Sequence, residues 1–137
     1  MWIEAYTHYQ TNAQSKKEVI RMKSIDRGEV QQYLDQFLNQ DLYYHLETSN
    51  GSYASLESEQ QMSVCAFIRN GRIRYSRGTI AGAGPYRVGL KLEEGWVYAE
   101  GLTDYEMTEK GQLLLGGYDH EGRIGIALEL SRHPFSV

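Results

Sequence analysis

The chain has 137 residues, of which 41% are hydrophobic and 23% are charged, a composition typical of one folded domain spanning residues 1–137 rather than of a disordered polypeptide. The formal net charge of −4 gives no overall electrostatic attraction to a nucleic acid or an anionic membrane, which makes both unfavourable as partners. No apolar run is long enough to span a bilayer, so we expect no membrane partner.

The clearest helical pattern follows two predicted strands, which span residues 2–9 and, more weakly, 16–25. Residues 26–40 carry apolar side chains with a period of 3.6 residues, which predicts an amphipathic helix with one face toward a core. This stripe consists of Val30, Tyr33, Leu34, Phe37 and Leu38. Ser24 or Asp26 can accept a hydrogen bond from the free backbone N–H groups at the helix start.

Residues 61–80 are predicted to form a β-hairpin to which the other strands are added. Apolar and polar side chains alternate over residues 62–69 and again over residues 72–75, which is the period of a strand. Asn70 and Gly71 separate the two runs, and both residues tolerate the positive φ of a type I′ turn. We therefore expect a two-residue turn at Asn70-Gly71, with a positive φ at Gly71.

Further alternating segments complete the predicted sheet. They span residues 42–48, 53–59, 86–92, 96–100, 102–108, 112–118 and 123–130. Strands do not alternate with helices along the chain, which favours an antiparallel sheet over a parallel one. The predicted fold is α+β, with a strongly curled, mainly antiparallel, barrel-like or half-barrel-like sheet of about eight strands and one amphipathic helix packed on it.

The sequence contains no recognisable catalytic or metal-binding motif. The four histidines, His8, His45, His120 and His133, include no pair with metal-ligand spacing, so we expect no metal and no cofactor. Cys65 stands between Val64 and Ala66 in a predicted strand, and we therefore predict a buried, unreactive thiol. A single cysteine forms no intramolecular disulfide, which is typical of a cytoplasmic protein.

Two groups of side chains are candidates for a binding surface. The first is the densest positive charge in this acidic chain and consists of Arg72, Arg74, Arg77 and Arg87 with Tyr75. Guanidinium groups suit carboxylates and phosphates, although charged side chains also cover the solvent-exposed face of edge strands. The second group is aromatic and consists of Tyr43, Tyr44, Trp96 and Tyr98. Tyrosine suits both a half-buried sheet surface and an interface, so the pattern leaves both interpretations open.

These patterns favour a non-enzymatic protein that binds another protein through its surface, as an inhibitor, an immunity protein or an assembly factor. The main alternative is a carrier whose curled sheet encloses an aromatic-lined cavity for a small ligand. A second alternative is an enzyme that uses tyrosine, histidine and arginine side chains scattered over the strands. Association into a homo-oligomer also stays open.

Overall fold

The computed structural model describes residues 22–49 and 65–137. Within these ranges it contains one helix and nine strands: β1 (Lys23–Ser24), α1 (Arg27–Gln36), β2 (Leu42–Ser49), β3 (Cys65–Ile73), β4 (Arg77–Ala81), β5 (Tyr86–Lys91), β6 (Trp96–Leu102), β7 (Asp104–Met107), β8 (Leu113–Tyr118) and β9 (Ile124–Ser131). The predicted strands at 2–9 and 53–59 lie outside the described residues. The described part of the chain contains no helix with the length and apolar character needed to cross a membrane.

The described strands form two antiparallel sheets. The larger sheet has the order β1-β7-β8-β9-β2-β3, and the smaller sheet has the order β4-β5-β6. Every strand pair among them is antiparallel, so the predicted α+β class with mainly antiparallel sheet and one helix is confirmed. Each sheet keeps two edge strands, and pairing among the described strands therefore closes no barrel.

The chain passes from the smaller sheet to the larger one at Thr103, between β6 and β7. The backbone N–H of Thr103 donates to the carbonyl of Gly116 at 2.9 Å, which fixes the crossing onto β8. The next residue of β8 must be small, because a Cβ at Gly117 would lie 2.1 Å from the carbonyl oxygen of Gly101. The backbones of β6 and β8 therefore approach each other closely where the two sheets meet.

Helix α1 lies within the predicted range of residues 26–40 but ends at Gln36, and one core joins it to both sheets. Asp26 caps the helix, because its side chain accepts a hydrogen bond from the backbone N–H of Glu29 at 3.0 Å. Val30 and Leu34 are fully buried. The cluster around them includes Ile80, Val88 and Leu90 of the smaller sheet and Leu113, Leu115, Leu128 and Leu130 of the larger one. The apolar stripe of the helix therefore faces the core, as its period predicts.

The predicted hairpin at Asn70-Gly71 is wrong. Strand β3 runs through both residues and pairs with β2, whereas residues 77–81 form β4 of the other sheet. Tyr44 pairs with Gly71 and Leu46 pairs with Ile68, so β3 carries one extra residue and forms a β-bulge. Asn70, and not Gly71, has the positive φ, at 58°. The residue type that tolerates a turn conformation is used here within a strand.

The bulge holds the C-terminal segment against the sheet. The Asn70 side chain donates to the Phe135 carbonyl at 2.9 Å and accepts from the Phe135 N–H at 2.7 Å. The Arg69 guanidinium donates to the carbonyl of Ser136 and lies 5.1 Å from the centroid of the Phe135 ring. Phe135 is buried as a result. These contacts attach the last residues of the chain to β3.

Candidate binding face

The smaller sheet has one face in the core and one face open to solvent. Side chains on successive residues alternate between the two faces, so Ile80, Val88 and Leu90 are buried while their neighbours along the strands point outward. The exposed residues that define the outer face are Arg77, Arg87, Lys91, Trp96, Tyr98 and Glu100. Two aromatic side chains and three cations therefore share one solvent-exposed surface.

Trp96 and Tyr98 form a stacked pair on this outer face. Their ring centroids are 5.4 Å apart and the ring planes differ by 10°. Trp96 is 42% exposed and Tyr98 is 50% exposed. Gly89 pairs with Tyr98 across the strands and lies beneath it, and a Cβ at Gly89 would meet the Tyr98 ring at 2.7 Å. The missing side chain at Gly89 thus lets the rings lie close against the sheet.

Arg87 and Glu100 close one end of the aromatic pair. The guanidinium carbon of Arg87 lies 5.4 Å from the centroid of the Tyr98 ring, within the range of a cation–π contact. Its Nε and NH2 groups both contact Oε1 of Glu100, the residue that pairs with Arg87 across the strands. The positive charge of Arg87 is therefore balanced within the face itself.

The opposite end of the face carries two cations. Arg77 pairs with Lys91 across β4 and β5, and Lys91 pairs with Trp96 across β5 and β6, so the three side chains stand in one row. Neither Arg77 nor Lys91 forms an ion pair within the described ranges. The outer face is thus cationic beside Trp96 and balanced beside Tyr98.

The edge of β4 is covered by helix α1. The Gln31 amide nitrogen donates to the carbonyl of Gly78 at 2.8 Å, and its oxygen accepts from the N–H of Ile80 at 3.1 Å. Nearby, the Arg27 guanidinium donates to the carbonyl of Gly82 at 3.0 Å. Because these side chains occupy backbone groups that an incoming strand would need, the face rather than this edge is available for contact.

The other basic residues predicted as a site do not join this face. Arg72 belongs to the larger sheet, where its guanidinium carbon lies 4.8 Å from the centroid of the Tyr43 ring. Arg74 lies in the connection before β4 and forms an ion pair with Asp41 at 3.3 Å. The structure therefore divides the basic group between two sheets and keeps only Arg77 and Arg87 beside Trp96 and Tyr98.

Two predicted aromatic residues support the core instead of an exposed surface. Tyr75 is fully buried, and its hydroxyl donates to the carbonyl of Leu34 at 2.7 Å. Burial, with the nearby charge of Asp35, raises the pKa of Tyr75. Tyr44 is half-buried and packs against the same core. The expectation that Tyr75 lies on a binding surface is corrected, because its ring fills the space between helix and sheet.

A buried group of ionisable side chains that the sequence patterns do not predict lies in the larger sheet. The Arg69 guanidinium lies 3.4 Å from His45 Nδ1 and 3.7 Å from a Glu129 oxygen. If Arg69 donates to Nδ1, the Nε2 of His45 carries the proton and donates to Glu47 at 3.1 Å. The alternating pattern of β2, which places His45 and Glu47 on one face, is the signal that could have indicated this group.

Burial shifts the protonation of this group. It lowers the pKa of His45 to about 3, with a smaller contribution from the positive charge of Arg69. It raises the pKa of Glu129 to about 8, an effect that Arg69 opposes and Glu47 reinforces. Because His45 is fully buried and bonded to its neighbours, the group has the features of an internal polar network.

Two open grooves lie beside Glu100 and Gly101. The larger has a volume of about 620 Å³ and is lined by the β8–β9 turn, including Tyr118 and Arg123. The smaller has a volume of about 360 Å³ and is lined by residues around Tyr86. Within residues 22–49 and 65–137, no group of three or more His, Cys, Asp or Glu side chains is placed to hold a metal ion. Cys65 begins β3, but its side chain lies outside the described part, so its burial stays a prediction.

Comparison with known proteins matches residues 24–135 to the family described as "Protein of unknown function (DUF1806)". A protein of Bacillus subtilis (strain 168), described as "Uncharacterized protein YojF", is 47% identical over 116 residues, which is 85% of this chain and 100% of that protein. The crystal structure of the Bacillus subtilis YojF protein aligns with a TM-score of 0.72 at 43% sequence identity, over 85% of this chain and 98% of that one.

Proposed function

The chain belongs to the DUF1806 family, and from the geometry of its smaller sheet we propose that it is a non-enzymatic protein that binds a partner protein through the outer face of that sheet. The observation that carries the proposal is the stacked and exposed pair of Trp96 and Tyr98. Inhibitors, immunity proteins and assembly factors need such a surface and no catalytic group. A cytoplasmic location is part of the proposal, because it fits the single cysteine.

The aromatic pair has the properties of an interface anchor. Tryptophan, tyrosine and arginine are the side chains that most often dominate the binding energy of protein interfaces. Here Trp96 and Tyr98 are held by stacking on each other and by the close approach of Tyr98 to Gly89. A side chain that is already ordered loses less conformational entropy on binding than a free one. The pair can therefore contribute its full apolar contact to a partner.

The form of the surface favours a protein over a small molecule. Small ligands are bound in concave sites that enclose most of their surface, whereas the outer face is one side of a three-stranded sheet. The adjacent edge of β4 is occupied by Gln31, which leaves the side chains of the face as the contact surface. A partner that packs flat against Trp96 and Tyr98 meets these conditions.

A small-ligand carrier is the second candidate, and the groove beside Glu100 favours it. Its volume of about 620 Å³ lies within the range of ligand sites, and Tyr118 and Arg123 supply an aromatic ring and a cation. In such a carrier the ligand would lie between β6 and the β8–β9 turn. A sheet that curled around this groove would give the barrel-like carrier that the sequence also allows.

Photo-crosslinking in cells that express the full chain tests the proposal. p-Benzoylphenylalanine replaces Trp96 in one variant and Tyr43 in a second, so both positions exchange one aromatic residue for another. We expect the position-96 variant to give one defined protein adduct that an excess of unlabelled parent chain abolishes. The Tyr43 variant, on the larger sheet, is the control. A competed adduct at position 43 with none at position 96 would place the binding surface elsewhere and contradict the proposal.

A further inference from the structure

Resting on the proposed function, we infer that the partner presents an acidic segment whose carboxylates contact Arg77 and Lys91 while an apolar side chain packs on Trp96. Arg77, Lys91 and Trp96 stand in one row across β4, β5 and β6. All three are exposed, so a partner that reaches the indole ring also reaches both cations. The inference thus names the chemistry of the partner and its orientation on the face.

The charges of the face are unevenly balanced. Arg87 is paired with Glu100, and its charge is already compensated. Arg77 and Lys91 have no carboxylate partner within the described ranges. Both lie in a chain whose formal net charge is −4, so this row is a local exception to the overall charge. Complementary charge on the partner would give the complex its orientation and speed its association.

The same charge distribution distinguishes an acidic protein from a long polyanion. A nucleic acid strand carries its phosphates along an extended path, and the negative net charge of the chain opposes its approach. Two carboxylates on a protein segment need to meet only Arg77 and Lys91, which lie on neighbouring strands about 4.8 Å apart. The apolar neighbour of these carboxylates then covers Trp96. An acidic peptide segment is therefore the occupant that fits both the charge and the aromatic pair.

Selection from a random peptide library displayed on phage tests this inference with the full chain as the target. We expect enrichment of peptides that combine acidic residues with an apolar or aromatic one. The enriched peptide, made synthetically, is then titrated calorimetrically into the parent chain and three variants. Trp96→Ala/Tyr98→Ala removes the aromatic pair, Arg77→Glu/Lys91→Glu reverses the charge of the row, and Arg72→Glu/Arg74→Glu reverses the same number of charges away from the face.

The inference predicts that Arg77→Glu/Lys91→Glu weakens binding by about tenfold or more and lowers its salt dependence, whereas the Arg72/Arg74 control stays within about twofold. Selected peptides that are neutral or basic and need Trp96 but not the two cations would overturn the inference and leave the proposed function intact. Peptides that bind the Trp96/Tyr98 variant as well as they bind the parent would contradict both. A selection without enrichment of acidic peptides also overturns the inference.

Discussion

The side-chain amide of Asn70 and the backbone of Phe135 form two reciprocal hydrogen bonds. Nδ2 donates to the carbonyl at 2.9 Å, and Oδ1 accepts from the N–H at 2.7 Å. The amide thus pairs with Phe135 as a residue of a neighbouring strand would. Because Asn70 sits in the bulge of β3 with a φ of 58°, this contact ties the C-terminal segment to a strained position of the sheet.

Replacement of Asn70 separates the two contributions of this residue. Asn70→Gly keeps the positive φ without strain but removes both hydrogen bonds, so we expect the free energy of unfolding to fall by about 1–3 kcal/mol. Asn70→Ala also forces a residue with a Cβ into the left-handed region, which costs about 1 kcal/mol more. Urea unfolding of the parent and both variants measures these differences.

Asn39 provides the matched control, because it also has a positive φ, 59°, and is exposed. No hydrogen bond of its side chain occurs in the described ranges, so Asn39→Gly is expected to change the unfolding free energy by less than about 0.5 kcal/mol. Equal effects of the glycine substitutions at positions 39 and 70 would show that the Asn70 amide contributes nothing to stability.

The fold could be predicted from the sequence where its signal is local. The apolar stripe and the Asp26 cap locate helix α1, because both depend only on residues within a few helical turns of one another. The predicted hairpin at Asn70-Gly71 is wrong because residues that tolerate a positive φ occur in β-bulges as well as in turns. What decides between them is the pairing of β3 with β2 and the contact with Phe135, and both connect residues far apart in the sequence.

Gln31 is expected to stabilise the smaller sheet by closing the edge of β4. Gln31→Met keeps the length of the side chain but leaves the Gly78 carbonyl and the Ile80 N–H without their partner. We expect a loss of about 1–3 kcal/mol in the free energy of unfolding and faster hydrogen exchange at the Ile80 amide. Gln32→Met, at an exposed position of the same helix, is the control. If the Ile80 amide exchanges at the same rate in all three proteins, Gln31 does not protect the edge.

Glu129 should make stability depend on pH between about 4.3 and about 8. Burial raises its pKa to about 8, whereas an unfolded chain loses this proton near a pKa of about 4.3. Between these values the folded protein holds a proton that the unfolded chain has released, so the unfolding free energy falls as pH rises. The pKa of His45 is lowered to about 3, so this side chain is neutral in the folded protein over this range and adds a slope only where the unfolded chain still binds a proton, below about pH 7.5.

Glu129→Gln removes this titration. We expect the variant to become steadily more stable relative to the parent as pH increases from about 6.5 to about 8, by at most about 1.4 kcal/mol for each pH unit. Urea unfolding at several pH values measures the difference, and Glu94→Gln at an exposed position serves as the control. Parallel stability curves for the parent and Glu129→Gln across this range would contradict the raised pKa.

Two glycines of the smaller sheet should respond differently to the same substitution. A Cβ at Gly78 would lie 2.7 Å from the buried ring of Tyr75, and overpacking of this kind costs about 1–3 kcal/mol. A Cβ at Gly89 would lie 2.7 Å from Tyr98, whose exposed ring can move away. Gly89→Ala should therefore change the near-UV circular dichroism of the aromatic pair, whereas the melting temperature should change little. Equal destabilisation by both alanines would show that Tyr98 cannot move.

The candidate face could be predicted only in part. Trp96 and Tyr98 alternate on one strand, which suffices to place them on the same side of a sheet. The basic group is predicted as one surface because most of its residues lie close together in the sequence. The connection after Ile73, however, carries the chain from one sheet to the other and separates Arg72 from Arg77. Tyr75 lies within that connection, and its burial depends on the Leu34 carbonyl of a distant helix. Lys91 belongs to the face because it pairs with Trp96 across β5 and β6, and only the strand register reveals this pairing.

The central claim is that Trp96 and Tyr98 anchor a partner protein, and the affinity of that partner tests it most directly. The protein captured by the crosslinker at position 96 is purified and titrated calorimetrically into the parent chain, into Trp96→Ala/Tyr98→Ala and into Arg72→Ala/Arg74→Ala. We predict that loss of the aromatic pair weakens binding by about 2 kcal/mol or more, while the arginine variant binds like the parent. Unchanged affinity of the Trp96/Tyr98 variant, with binding lost in the Arg72/Arg74 variant, would contradict the claim.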